Sequence, residues 1–294
     1  MASFFQILLH SLHNIGILAL CSLGIALTYK TANVTNFAQS IVSTTGAFTA
    51  AYLVMVLGFN GWLSFLSGVT IGFLLGLFID AVIVRRASSG EGTGRVMITL
   101  GLIVLFNATI PLIFGMIPYE FIRFFRGVHT FTLFGDEFII TRNGLFIFCT
   151  SMSIVAILFT ALNFTKWGLG VRATASNMSV ASMMGINIHK ITAISWAISS
   201  ACGSLAAIFH SSQTTNVGID MLATVQANSL LAFVLGGYTS FYGPVIGAIL
   251  IPIVTIPLAT ISGLWASALL YGLVLLIILV KPMGLFGKKT IQKV

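Results

Sequence analysis

Trp62-Leu-Ser-Phe-Leu-Ser-Gly68-Val-Thr-Ile-Gly72-Phe-Leu-Leu-Gly76-Leu-Phe-Ile-Asp80-Ala-Val-Ile-Val84 carries one ionisable side chain, Asp80, and places it near the end of the run. The run falls within the roughly 17 to 25 residues that a helix needs to cross a bilayer. Its glycines return at every fourth position, which lets a neighbouring helix approach closely. Working outward, comparable apolar runs occupy residues 7–29, 144–162 and 264–280. The whole chain follows suit, with 57% hydrophobic and 7% charged residues and a mean hydropathy of +1.06. Soluble domains carry roughly a quarter charged residues. The expected fold is an all-α polytopic membrane protein.

Loops rich in Lys and Arg stay in the cytoplasm, and residues 85–95, 166–190 and the tail from 281 onward are such loops. Segments at 7–29, 38–57, 62–84, 96–115, 144–163, 190–212, 222–237, 243–261 and 263–280 then alternate with the N-terminus outside and the C-terminus inside. That gives eight to nine transmembrane helices. The count is open because 222–237 is short and holds Gln226 and Asn228, and because 31–40 is polar; either reads equally as a broken or re-entrant segment. Polar backbone at membrane depth persists only where protein or a water-filled cavity satisfies it, so such breaks point toward a pathway, with an ordinary solvated turn as the competing reading. Lys30, Arg85, Arg86, Arg95, Lys166, Arg172, Lys190, Lys281, Lys288, Lys289 and Lys293 fall inside; Arg123, Arg126 and Arg142 fall outside with Glu120, Asp136, Glu137 and Asp220. The run at 7–29 has no basic leader and no obvious small-residue cleavage site, and is expected to be a retained first helix. The external connection at about 116–143 alternates on both sides of Gly135-Asp136, which predicts a small β-hairpin.

Several function classes are excluded. Basic residues are spread over short loops with no stacking aromatics, so nucleic acid is not an expected partner. Cys21, Cys149 and Cys202 lie in apolar segments without ligand spacing, and no metal or cofactor is expected. No carboxylate pair or nucleophile with an adjacent base stands out, and the five histidines are dispersed. The run Gly284-Leu-Phe-Gly287-Lys288-Lys-Thr290 has the wrong spacing for a phosphate-binding loop, so the chain is not expected to hydrolyse ATP.

The cytoplasmic loop at about 164–190 is too long for a plain connection. Val171, Ala175, Met178, Ala181 and Met184 recur in it at three- to four-residue spacing, predicting a short helix with one small, apolar face. Gly170-Val-Arg172-Ala-Thr-Ala-Ser-Asn177 followed by Ala181-Ser-Met-Met-Gly185-Ile-Asn187 resembles the cytoplasmic coupling loop of branched-chain amino acid ABC transporter permeases, the LivH-like family. Asn36-Phe37-Ala38-Gln39 resembles the segment after that family's first helix, although Ser40 stands where the family usually has Gly. Leu235-Gly-Gly-Tyr-Thr-Ser240-Phe-Tyr-Gly243-Pro244-Val-Ile-Gly247 resembles its glycine-rich late segment, and Pro282-Met-Gly284-Leu-Phe-Gly287 its closing motif. The resemblance runs from about residue 10 to 287 in the right order.

It implies a non-catalytic transport subunit in a bacterial or archaeal plasma membrane. Its implied partners are two ABC ATPase subunits, a second permease chain (homologue or copy), an external substrate-binding protein and the lipid bilayer. ATPase coupling falls to Arg172, Ala175, Asn177, Ala181, Met184 and Gly185. A solute pathway falls to Asn36, Phe37, Gln39, Ser40, Gln226 and Asn228, whose neutral hydrogen-bonding groups and nearby helix start suit a zwitterion; capping of that helix is the competing reading. Gly236, Gly237, Gly243, Pro244 and Gly247 suit a tight turn between helices. The cargo remains open between amino acids and other small solutes such as urea, short amides, nucleosides or sugars. A secondary transporter is the rival mechanism.

Overall fold

A computed structural model describes residues 2–87, 92–133 and 136–287. Hydrocarbon offers no partner to backbone N–H and C=O groups, so the apolar runs satisfy themselves as helices. These are α1 (Ala2–Ala32), α2 (Gln39–Met55), α3 (Gly61–Phe78), α4 (Gly92–Phe114), α5 (Arg142–Phe164), the short α6 (Lys166–Ser176) and α7 (Met178–Met183), then α8 (Ile188–Thr214), α9 (Ala223–Gly236), α10 (Gly243–Ser262) and α11 (Ala266–Val280). α3 continues as a π-helical turn, Ile79–Val84. Seven spans among the described residues are long and apolar enough to cross a membrane. α2 has 17 residues and α9 has 14; at 1.5 Å per residue α9 reaches only about 21 Å of the roughly 30 Å core. The segment that was short and polar in sequence is therefore a short helix in space.

α1 and α8 form the centre. α1 packs on α5, α8, α9 and α10, and α8 packs on α2 and α3 as well. Ile17, Leu20, Ile25, Trp196, Ile208 and Phe209 are fully enclosed between them and their neighbours. The glycine stripe of α3 is what admits α8: a Cβ at Gly72 would overlap the Ser204 hydroxyl, one at Gly76 the Trp196 carbonyl, and one at Gly68 the Gly46 carbonyl of α2. α4, α5 and α11 lie at the periphery with mostly exposed apolar side chains.

At the end carrying the start of α1, β1 (Tyr119–Glu120), β2 (Val128–Leu133) and β3 (Asp136–Thr141) form the long connection. β2 and β3 pair antiparallel from Val128↔Thr141 to Leu133↔Asp136; Gly135, at the expected turn, lies outside the described residues. Gln6 exchanges two hydrogen bonds with the Ile139 backbone, at 2.7 and 2.9 Å, and Phe5 meets Phe138 edge-on, which ties the hairpin to α1. β1 also pairs antiparallel with β4 (Asn216–Val217), a two-residue ladder too short to leave an alternating pattern in sequence. Lys288, Lys289 and Lys293 also lie outside the described residues.

Candidate solute pathway and coupling surface

α1 ends at Ala32, Asn33 takes a positive φ of 53°, and the chain turns back into the bundle. The Asn36 side-chain oxygen accepts from the Ala38 N–H at 3.1 Å, closing a local turn. The Asn36 carbonyl accepts from Gln226 Nε2 at 3.3 Å, which bolts this turn to α9. Gln39 Nε2 donates to the Cys21 carbonyl of α1 at 3.2 Å, and its Oε1 accepts from Ser199 Oγ of α8 at 3.1 Å. Cys21 sits about 16 Å along α1 from its end, so α2 begins within the bundle. Protein groups, not lipid, satisfy the polar turn at that depth.

Of the six residues assigned to the pathway from sequence, Phe37, Ser40 and Gln226 line one cavity of about 330 Å³ between α2, α4 and α9. Asn36 and Gln39 are both 1% exposed and spent on internal hydrogen bonds. Asn228 lies two positions from Gln226, nearly opposite on a helix of 3.6 residues per turn, and lines a different cavity between α1, α8, α9 and α10. The first cavity also holds Asp220 and Asn107, neither of them assigned to the pathway from sequence. Asn107 is exposed within the membrane span of α4, where an amide facing hydrocarbon is costly. Its signal was available: it is the single amide side chain in the 94–114 run.

At the opposite end of α1, α6 and α7 replace the single helix expected. Spacing runs unbroken through Asn177, but Asn177 adopts an extended backbone and its side chain accepts from the Val180 N–H at 3.1 Å, capping α7 instead of continuing α6. α6 is anchored: Val171 is fully buried against Leu27, Leu162 and Ile191, Ala175 is half-buried, and Arg172 donates to the Asn163 carbonyl at 3.3 Å. α7 is not. Ala181 is buried, whereas Met183 and Met184 are 85% and 78% exposed, with Val180 exposed beside them. Gly185 ends α7 at a φ of 81° with open space where a Cβ would stand.

Behind α7 lies a polar cluster. Arg85 pairs with the buried Asp80 at 3.6 Å and donates to the His189 carbonyl at 3.2 Å, Thr192 donates to Asp80 at 3.4 Å, and Arg95 donates to the Ala32 carbonyl at 3.1 Å. These bonds join the ends of α1 and α3 to the start of α8 and to α4. The glycine turn completes the same end: Gly236 and Gly243 meet backbone to backbone, Gly247 meets the Ala232 carbonyl, Gly237 has a φ of 100°, and the Pro244 carbonyl accepts from Ser22 at 3.1 Å. The closing motif packs directly on it, with Leu285 and Phe286 donating to the carbonyls of Leu235 and Gly236 at 2.8 and 3.2 Å. Two motifs read separately in sequence are thus one clasp.

The sequence profile of the family described as the permease component of the branched-chain amino acid transport system matches residues 7–279. The probable branched-chain amino acid transport permease protein LivH of Methanocaldococcus jannaschii is 28% identical, with 92% of this chain and 89% of that one covered. The high-affinity branched-chain amino acid transport system permease protein BraD of Pseudomonas aeruginosa is 23% identical, with 94% and 93% covered. The probable branched-chain amino acid transport permease protein LivM of M. jannaschii is 28% identical over 153 residues, 47% of this chain and 44% of LivM.

Proposed function

Since this chain belongs to the family of permease components of branched-chain amino acid transport systems, we propose that it is the membrane-spanning, non-catalytic subunit of an ATP-driven importer of branched-chain or related amino acids. Residues 1–294 act as one permease domain, with α6, α7 and the C-terminus in the cytoplasm. The ATP-driven part rests chiefly on α7, a capped helix that projects Val180, Met183 and Met184 away from the chain's own core. Such a stub fits an apolar socket on a separate ATPase subunit. Among the described residues Asp80 is the only acid within a span, and it is already engaged by Arg85 and Thr192, which favours an external energy source over ion coupling through that carboxylate.

In this reading, ATP binding on two ATPase subunits moves α6 and α7. The cluster of Asp80, Arg85, His189 and Thr192 passes that motion to α3 and α8. The groove of Phe37, Ser40, Asn107 and Gln226 faces a second permease chain across the pathway, which removes Asn107 from hydrocarbon. Asp220 at the start of that groove attracts the ammonium group of solute delivered by an external binding protein.

Affinity purification of the chain in mild detergent, with mass spectrometry and an ATPase assay, tests the assembly. Two nucleotide-binding subunits and a second permease are expected, with vanadate-sensitive hydrolysis stimulated by loaded binding protein. A chain that purifies alone and moves solute without ATP would overturn the proposal.

A further inference from the structure

The cavity between α1, α8, α9 and α10 has a volume of about 330 Å³, at the small end of the roughly 300 to 1,000 Å³ of small-molecule pockets. Its walls differ in chemistry. α1 presents Ser11 and Asn14 at a three-residue spacing and α9 presents Thr224 and Asn228 at a four-residue spacing, so each helix turns a polar row inward. α10 faces them with Ile251, Pro252 and Ile256 and with Thr255, whose hydroxyl donates to the Ile251 carbonyl, and α8 adds His210.

We propose that this cavity binds one aliphatic amino acid as its zwitterion, inside a single permease chain and apart from the groove between α2, α4 and α9. Its lining contains no Asp, Glu, Lys or Arg, and its one histidine is His210. A solute of net charge would lose its hydration there without a counter-charge, whereas a zwitterion enters with none. Amide and hydroxyl side chains offer both donors and acceptors, as an ammonium and a carboxylate together require. Asn228 Oδ1 is sealed from solvent and has no hydrogen-bond partner. A ligand in the cavity does not reach that sealed oxygen, but the Nδ2 of the same cavity-lining residue is spent on no acceptor among the described residues and is free to donate to the carboxylate. Thr224 stands in the first turn of α9, where Leu222 provides no side-chain cap and the Ala223 N–H is taken by the Asp220 carbonyl; the N–H groups of Thr224 and Val225 favour the carboxylate. Ile251, Pro252 and Ile256 of α10 take an aliphatic side chain.

This assignment rests on the amino acid transport reading, and two measurements separate their failures. Equilibrium binding of radiolabelled L-leucine is measured on the full chain in lipid nanodiscs, without ATPase or binding protein; ATP-driven leucine uptake is measured on the assembled complex. Saturable binding is expected, displaced by L-valine but not by L-glutamate, L-lysine, isovalerate or isopentylamine. Asn228→Leu is expected to weaken binding at least about tenfold, and Thr160→Leu, on the exposed face of α5, to leave it unchanged. Val225→Phe narrows the pocket and is expected to lose leucine while keeping alanine, a selectivity change that misfolding cannot produce. Absence of saturable binding, or binding indifferent to Asn228→Leu and Val225→Phe, overturns the site even if uptake is normal. Binding with this pattern but no ATP-driven uptake supports the site and overturns the transport reading.

Discussion

Gln39 occupies the position in the polar segment after α1 where a solute ligand was expected, yet each end of its amide is already engaged, on Cys21 and on Ser199. Gln39→Leu strands both partners. Hydrogen bonds between membrane helices contribute roughly 0.6 to 2 kcal/mol, so the substitution is expected to lower the thermal unfolding midpoint in detergent while leaving the uptake KM unchanged. Asn107 is the opposite case, because it is exposed and bonded to nothing among the described residues. Asn107→Leu is expected to slow uptake several-fold without loss of thermal stability, and a stability loss confined to that variant would reverse the two assignments. Gly72 supplies a third test at this scale. A Cβ there collides with Ser204, and overpacking of this kind costs roughly 1 to 3 kcal/mol. Gly72→Ala is therefore expected to reduce the folded yield, and Ser204→Gly in the same chain to recover part of it. Failure of that rescue would mean that the close approach of α3 to α8 is not what the glycine provides.

Outside the candidate membrane spans, α7 leaves its apolar Val180 and Met183 exposed. Replacing Met183 and Met184 together by Glu removes almost no internal packing, since both are largely exposed. The double variant is expected to insert and unfold like the parent but to lose its ATPase subunits on purification; retained subunits would exclude α7 as the docking element. Gly185 refines the same test. Its positive φ suits Gly and is tolerated by Asn, while open space surrounds the site of a Cβ. Gly185→Asn is expected to keep stimulated ATP hydrolysis and Gly185→Trp to abolish it while membrane insertion is kept, through the bulk of the indole against a docked partner together with the strain of that φ.

Across the whole molecule, each of the nine apolar segments read from sequence holds a helix among the described residues, because hydrocarbon enforces length and composition together. The break at Asn177 was hidden because Ala175, Met178 and Ala181 keep their spacing through it, and only the capping bond to Val180 ends the helix. The pathway residues were legible as polar groups but not as a site. Their grouping depends on contacts such as Gln226 to Asn36, separated by 190 positions, and on the rotation of α9 that sends Gln226 and Asn228 to different cavities. Orientation stands between these extremes. Lys30 bonds to the Thr239 carbonyl, Arg95 to that of Ala32 and Arg85 to that of His189, so these cations share one end of the bundle. Arg126 and Arg142 flank the hairpin at the other. Retention of positive charge in the cytoplasm then favours the orientation proposed above, with α7 inside and the hairpin outside. In a background with the exposed Cys149 replaced by Ser, a membrane-impermeant maleimide added to intact cells is expected to label Thr130→Cys and to spare Ser179→Cys. After the membrane is opened, Ser179→Cys should label as well. Labelling of Ser179→Cys in intact cells would invert the chain, carry α7 away from any cytoplasmic ATPase and remove the physical basis of ATP coupling.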